Sequence, residues 1–187
     1  KTLASDDGSA QWDVQVAAAN GAVNIVDVTT FGNSYLTNTG TLAAVADGDT
    51  MTLTSGASGT DNIYNGSALY IASGLGSGQV REIVDYVGAT KVVTLKTIFS
   101  TTPNTSSTYA VAPLVTITGD GTGATAYANV VIGGASGNSV NYINVIAAGT
   151  NYSEAAITIT ANTSHGSGAA AVGYIAPPGG HGSDALG

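Results

Sequence analysis

The chain has no cysteine, two histidines and only four lysine or arginine residues in 187. Without thiols there is no disulfide framework, no thiolate metal site and no cysteine nucleophile. Their absence fits an oxidising or a reducing compartment equally. Two imidazoles, His165 and His181, leave little for general acid–base work. Four cations against twelve carboxylates give a net charge of -8, which excludes the basic footprint that nucleic acid requires. Charged residues make up 9%, against roughly 25% in an ordinary soluble protein. No apolar run approaches the ~20 residues of a membrane-spanning helix. The opening Lys1-Thr2-Leu3-Ala4-Ser5-Asp6-Asp7 has no apolar signal core, and the only methionine is Met51, so the expectation is a chain cut from something longer.

What is abundant is small. Gly, Ala, Thr and Ser supply 97 of the 187 residues. The length suits one large domain or two small ones. Apolar residues recur at every second position in short runs separated by Gly, Asn, Asp and Ser, the mark of half-buried strands joined by tight turns. The pattern predicts strands at 12–17, 23–29, 41–45, 50–54, 68–73, 79–87, 92–98, 110–111, 114–118, 124–131, 140–147, 156–160 and 169–175. Turns are expected at Asn20-Gly21, Asp47-Gly48, Val87-Gly88-Ala89-Thr90 and Asp120-Gly121, where Asn-Gly and Asp-Gly favour positive φ. A helical reading fails on the density of β-branched residues and glycine. The fold class is therefore all-β.

An internal repeat organises the chain. Asn20-Gly21-Ala22-Val23-Asn24-Ile25-Val26-Asp27-Val28 followed by Gly32-Asn33-Ser34-Tyr35 resembles Gly137-Asn138-Ser139-Val140-Asn141-Tyr142-Ile143-Asn144-Val145 followed by Gly149-Thr150-Asn151-Tyr152. Each reads as a turn, a strand and a Gly-x-x-Tyr corner. A second echo joins the Thr-alternating strands at 115–118 and 157–160, each leading through a Gly-rich bend into an Ala-rich strand. These echoes predict two small β-sandwich-like modules, at 1–40 and 110–175. An antiparallel β meander at 41–109 interrupts the first, and a Pro/Gly-rich arm at 176–187 closes the chain. Arg81, Lys91 and Lys96 lie in the meander and are expected to face solvent beside Glu82 and Asp85.

Candidate chemistry is sparse. Asp47 and Asp49, one residue apart, are the best candidates for a hard cation, yet they lack the further carboxylates of a calcium loop and read more simply as turn residues. Ser164-His165 lacks a nucleophile elbow. Gly74-Leu75-Gly76-Ser77-Gly78 lacks the following helix that a phosphate cradle needs. Asn-x-Ser/Thr sequons at Asn65, Asn104, Asn151 and Asn162 are no more than this composition supplies by chance. Trp12, with the nine tyrosines, is a candidate glycan contact.

Three segments carry a family resemblance. Ser5-Asp6-Asp7-Gly8-Ser9-Ala10-Gln11-Trp12 resembles the entry of baseplate wedge subunits of contractile-tailed, cyanophage-like bacteriophages. Gly119-Asp120-Gly121-Thr122-Gly123 with its flanking strands resembles a β repeat of phage tail proteins. The ending Pro177-Pro178-Gly179-Gly180-His181-Gly182-Ser183-Asp184 resembles a closing motif of the same proteins. The resemblance covers both ends and the second module, and it implies a scaffolding part rather than an enzyme, with no catalytic residues and no cofactor to carry over. The expectation is a structural assembly protein of a virion, with those Pro and Gly residues as an assembly arm. Its partners would be other copies of itself or other particle proteins, without nucleic acid or membrane insertion. A self-polymerising subunit of an extracellular filament is the first alternative, and a carbohydrate-binding module or adhesin the second.

Overall fold

A computed structural model describes residues 21–134, 137–161 and 165–176. Twelve strands and no helix run through these residues: β1 Val23–Asn33, β2 Asn38–Thr41, β3 Ala44–Val45, β4 Thr50–Thr52, β5 Ser67–Ser73, β6 Val80–Val87, β7 Val92–Leu95, β8 Thr108–Gly119, β9 Thr122–Gly134, β10 Gly137–Thr150, β11 Ala155–Thr160 and β12 Ser167–Ile175. Every pairing is antiparallel. The all-β expectation therefore holds. The expected strand at 12–17 lies outside the described residues, as do Trp12 and the arm from Pro177 to Asp184.

Two apolar cores form, one along the first half of β8 and one along the second. The first belongs to the meander and contains Leu53, Leu69, Ile71, Ile83, Tyr86, Val93, Tyr109 and Val111. Its strands run in the order β8-β5-β6-β7-β4-β3, with β2 on the other edge of β8. The hydroxyl of Tyr109 donates to Asn38 Oδ1 at 2.6 Å and accepts from Thr54 N at 3.1 Å, and burial pushes its phenol up to about 12. The second core gathers Val23, Val26 and Tyr35 from one end of the chain with Val115, Ala126, Ala128, Val140, Ile143 and Tyr152. Alanine is prominent there because small side chains let facing strands approach closely.

Several local expectations are corrected. The strand expected at 41–45 is broken into β2 and β3. The two strands expected at 110–111 and 114–118 are one continuous β8, despite Pro113. Pairing with β2 ends at Val111 and pairing with β11 begins at Leu114, so Pro113 stands where a missing N–H is least needed. Of the Gly expected at positive φ, Gly21 is there (65°), whereas Gly48 and Gly121 are not; Gly123 (82°) takes that conformation instead, and in the turn at 87–90 it falls on Lys91 (61°).

The meander cations also depart from a plain solvent face. Lys96 does pair with Glu82 at 2.6 Å. Arg81 lies over the Phe99 ring at 5.4 Å and donates to the Ile98 carbonyl. Lys91 Nζ donates to the Ser58 and Gly88 carbonyls and so closes a loop.

Candidate functional surfaces

Asp47 does a structural job. Its Oδ1 accepts from the backbone N–H of Asp49 at 3.2 Å and of Thr50 at 2.8 Å, and the Asp49 N–H lowers its pKa. Asp49 in turn accepts from the Thr50 hydroxyl at 3.0 Å. No group of three or more His, Cys, Asp or Glu converges among the described residues. The Asp47 carboxylate thus closes an Asx turn.

His165 sits in the bend before β12, with its Nδ1 buried and without a hydrogen-bond partner among the described residues. The sequons are equally undistinguished: Asn104 accepts from Ser106 and Ser107, Asn65 donates to Asn62, and Asn151 is an exposed residue at φ 63°. Asn162 and His181 lie outside the described residues. Gly74, Gly76 and Gly78 all take positive φ in the β5–β6 turn, with no helix following.

A shallow cleft of about 190 Å³ between β6, β8 and β9 is lined by Val80, Arg81, Glu82, Leu114, Thr125 and Ala126. That is below the roughly 300–1,000 Å³ of small-molecule sites, and Glu82 is already paired with Lys96.

The notable chemistry is on the strand faces. Among the described residues, seven of the eleven exposed large hydrophobics belong to β1, β12, β9 and β10: Ile25, Phe31, Val172, Tyr174, Val131, Ile132 and Tyr142. Ile25 is opposite Tyr174 across the β1–β12 ladder, and Val172 is opposite Asp27, so Ile25, Tyr174 and Val172 form one outward patch. Tyr127 on β9 is instead covered, its ring stacked on Tyr70 of the meander at 4.4 Å. The sequence reading did not single out this patch. Its residues come from opposite ends of the chain, and only the long-range pairing assembles them.

A polar clip secures the corner between β8 and β9. Asp120 accepts from the backbone N–H of Ser153 at 2.8 Å and of Glu154 at 3.1 Å, and from the Ser153 hydroxyl. These donors, the Ser153 hydroxyl first, hold its carboxyl down at about 2 against an ordinary 3.8. A depressed carboxylate contributes stability above its unfolded pKa and loses it as pH falls through the folded one. Asp120→Asn should therefore lower Tm at neutral pH, and its Tm should converge with that of the unsubstituted chain as pH falls from 3.8 towards 2. Thermal melts of both chains across that window check this; parallel curves would show that the carboxylate is not responsible.

No family model, curated protein or solved structure matches this chain.

Proposed function

We propose that this chain is a structural assembly subunit that works through contacts with further copies of itself. The observation that carries this reading is the concentration of exposed apolar side chains on registered strand faces, with Ile25, Val172 and Tyr174 together on one face of the β1–β12 ladder. Apolar side chains in a contiguous patch on a soluble protein mark an interaction surface. A surface otherwise built of Thr, Ser, Ala and Gly adds close backbone approach with little side-chain entropy to lose on ordering. Low charge density limits repulsion between packed copies, and the net charge of -8 keeps free subunits apart in solution.

Two objects suit such a subunit. The resemblance to baseplate and tail proteins supports a component of a phage-like particle. The placement of β1 favours a self-polymerising extracellular filament: the strand from the start of the chain completes the ladder of β12, at its far end. Electron microscopy of the native material, with intact-mass spectrometry of the same sample, tests both. Uniform fibres of a single 18.3 kDa species support the filament. Tailed particles with many other proteins support the baseplate component. A dispersed monomer at all concentrations would overturn the assembly reading itself.

A further inference from the structure

The two strand pairs β1–β12 and β10–β9 are built alike, position by position. Val23 faces Ile175 as Val140 faces Val130, Val26 faces Gly173 as Ile143 faces Ala128, and Asn33 faces Ser167 as Thr150 faces Thr122. The ladder irregularities fall at matching places, between Val23/Ile25 and Val28/Thr30 in one pair and between Val140/Tyr142 and Val145/Ala147 in the other. Gly32 and Gly149 both take positive φ, at 62° and 67°, and each is followed by a second such residue, Ser34 at 58° and Asn151 at 63°. Each corner ends in a buried tyrosine, Tyr35 or Tyr152. The two halves then exchange equivalent bonds: Tyr35 N–H donates to the Asn138 carbonyl at 3.1 Å, and Tyr152 N–H to the Gly21 carbonyl at 2.8 Å.

The halves differ in one respect, which is covalent. β9 turns directly into β10 between Gly134 and Gly137. β12 has no such continuation into its partner. Its partner is β1, and Ala176 N–H donates to the Ala22 carbonyl at 2.9 Å where the other half has its hairpin. The unit formed by β11 and β12 is thus a three-strand unit whose third strand is supplied by the far end of the chain. Nothing in the groove depends on which copy supplies it, because β10 and β12 provide the walls and all β1 contacts are non-covalent.

The connection on the other side of β1 is short. Tyr35 is held by its own corner, with its hydroxyl accepting from Ala169 N–H at 3.0 Å. Leu36 already packs against the meander core, and Thr37 donates to the Val111 carbonyl at 2.9 Å. Between β1 and Tyr35 stands Ser34 at positive φ, a conformation that costs a non-glycine residue free energy and that is relieved if the segment extends. A short hinge under strain, joined to a strand whose groove is formed elsewhere, is the arrangement that exchanges between copies.

We propose that β1 is an exchangeable strand, and that the groove between β10 and β12 takes the β1 of a second copy of this chain. Because each copy offers one strand and one groove, exchange that does not close into a ring builds a linear polymer. This deepens the assembly reading and rests on it for its biological setting, but not for its test.

The absence of native cysteine makes the test clean. Asp27 and Val172 are exposed Cα partners on β1 and β12, so cysteines placed there lie within disulfide reach when the strands pair. Asp27→Cys and Val172→Cys are made as separate full-length chains, unfolded together, refolded at high concentration and oxidised. The expected result is a disulfide joining residue 27 of one chain to residue 172 of the other, identified by peptide mass. The double variant, treated alone, should give a ladder of linked chains on a non-reducing gel. Only intrachain disulfides in the double variant, with no 27–172 link in the mixture, overturn the exchange. Microscopy of the unsubstituted chain scores assembly separately, because Val172 belongs to the apolar patch. Fibres with intrachain links alone would leave the assembly reading standing and remove exchange; linked dimers without fibres would keep exchange and remove the filament.

Discussion

Gly149→Ala is expected to destabilise the fold by about 2–5 kcal/mol, a large part of the roughly 5–15 kcal/mol available to a domain. Two costs combine. The backbone at Gly149 has φ 67°, where an L side chain loses about 1–2 kcal/mol. A Cβ there would also stand 2.6 Å from the Thr122 carbonyl oxygen, 2.6 Å from the Ala124 nitrogen and 2.7 Å from the Tyr152 ring. The first two are backbone atoms of a paired strand and cannot rotate away, so the corner must shift and Tyr152 with it. Gly32→Ala should behave alike, since its Cβ would meet Ser167 O at 2.5 Å, Ala169 N at 2.6 Å and Tyr35 at 2.8 Å. Gly133→Ala separates the two costs: φ is 76° there, but nothing lies within 4 Å of the added carbon. Urea unfolding of the three variants checks the ranking. If Gly149→Ala cost no more than Gly133→Ala, the close approach would not be what requires glycine at this corner.

Those corners were legible in the sequence because Gly-x-x-Tyr occurs twice after a similar strand, and a local motif carries its own signal. Strand alternation was legible for the same reason: in β7, β11 and β12 burial alternates residue by residue, so the period of two shows directly. What was not legible is long-range. Nothing local to 23–33 says that its ladder partner begins at residue 167, so the patch of Ile25, Val172 and Tyr174 could not be read. The Asp120 clip was hidden in a similar way. Asp120-Gly121 reads as a turn, and its donors at Ser153 and Glu154 come from the linker after β10. At Asp47-Gly48 the expected positive φ is absent because the Asp47 carboxylate closes the turn by accepting the next N–H groups, without a left-handed residue. The break expected between 111 and 114 failed for the opposite reason: Pro113 is tolerated within β8 because pairing with β2 has ended and pairing with β11 has not begun at that residue.

Leu69→Ala is expected to cost about 3–5 kcal/mol, the range for removing a fully buried leucine whose surroundings cannot collapse. Leu69 is fully buried on β5, opposite Arg81 of β6 on one side and Val111 of β8 on the other. Strands on both sides fix the backbone around it, so the cavity stays open. The damage should not stay in the meander. β8 carries Tyr109 and Val111 into the first core and Val115 into the second, and its last residues pair with β11 through Ile117 and Ile157. A single strand that lines two cores couples them, because neither can lose β8 and keep its own ladder. The unsubstituted chain should therefore melt in one calorimetric transition, and Leu69→Ala should lower that transition as a whole. Hydrogen exchange reads the coupling directly: amides of Val140 and Ile143, in the second core, should lose protection together with those of Ile71 and Val111 in the first. Retained protection at Val140 and Ile143 after the meander has opened would show that the second core stands alone. β8 would then be a tether between two independently stable bodies rather than the shared wall of one cooperative unit.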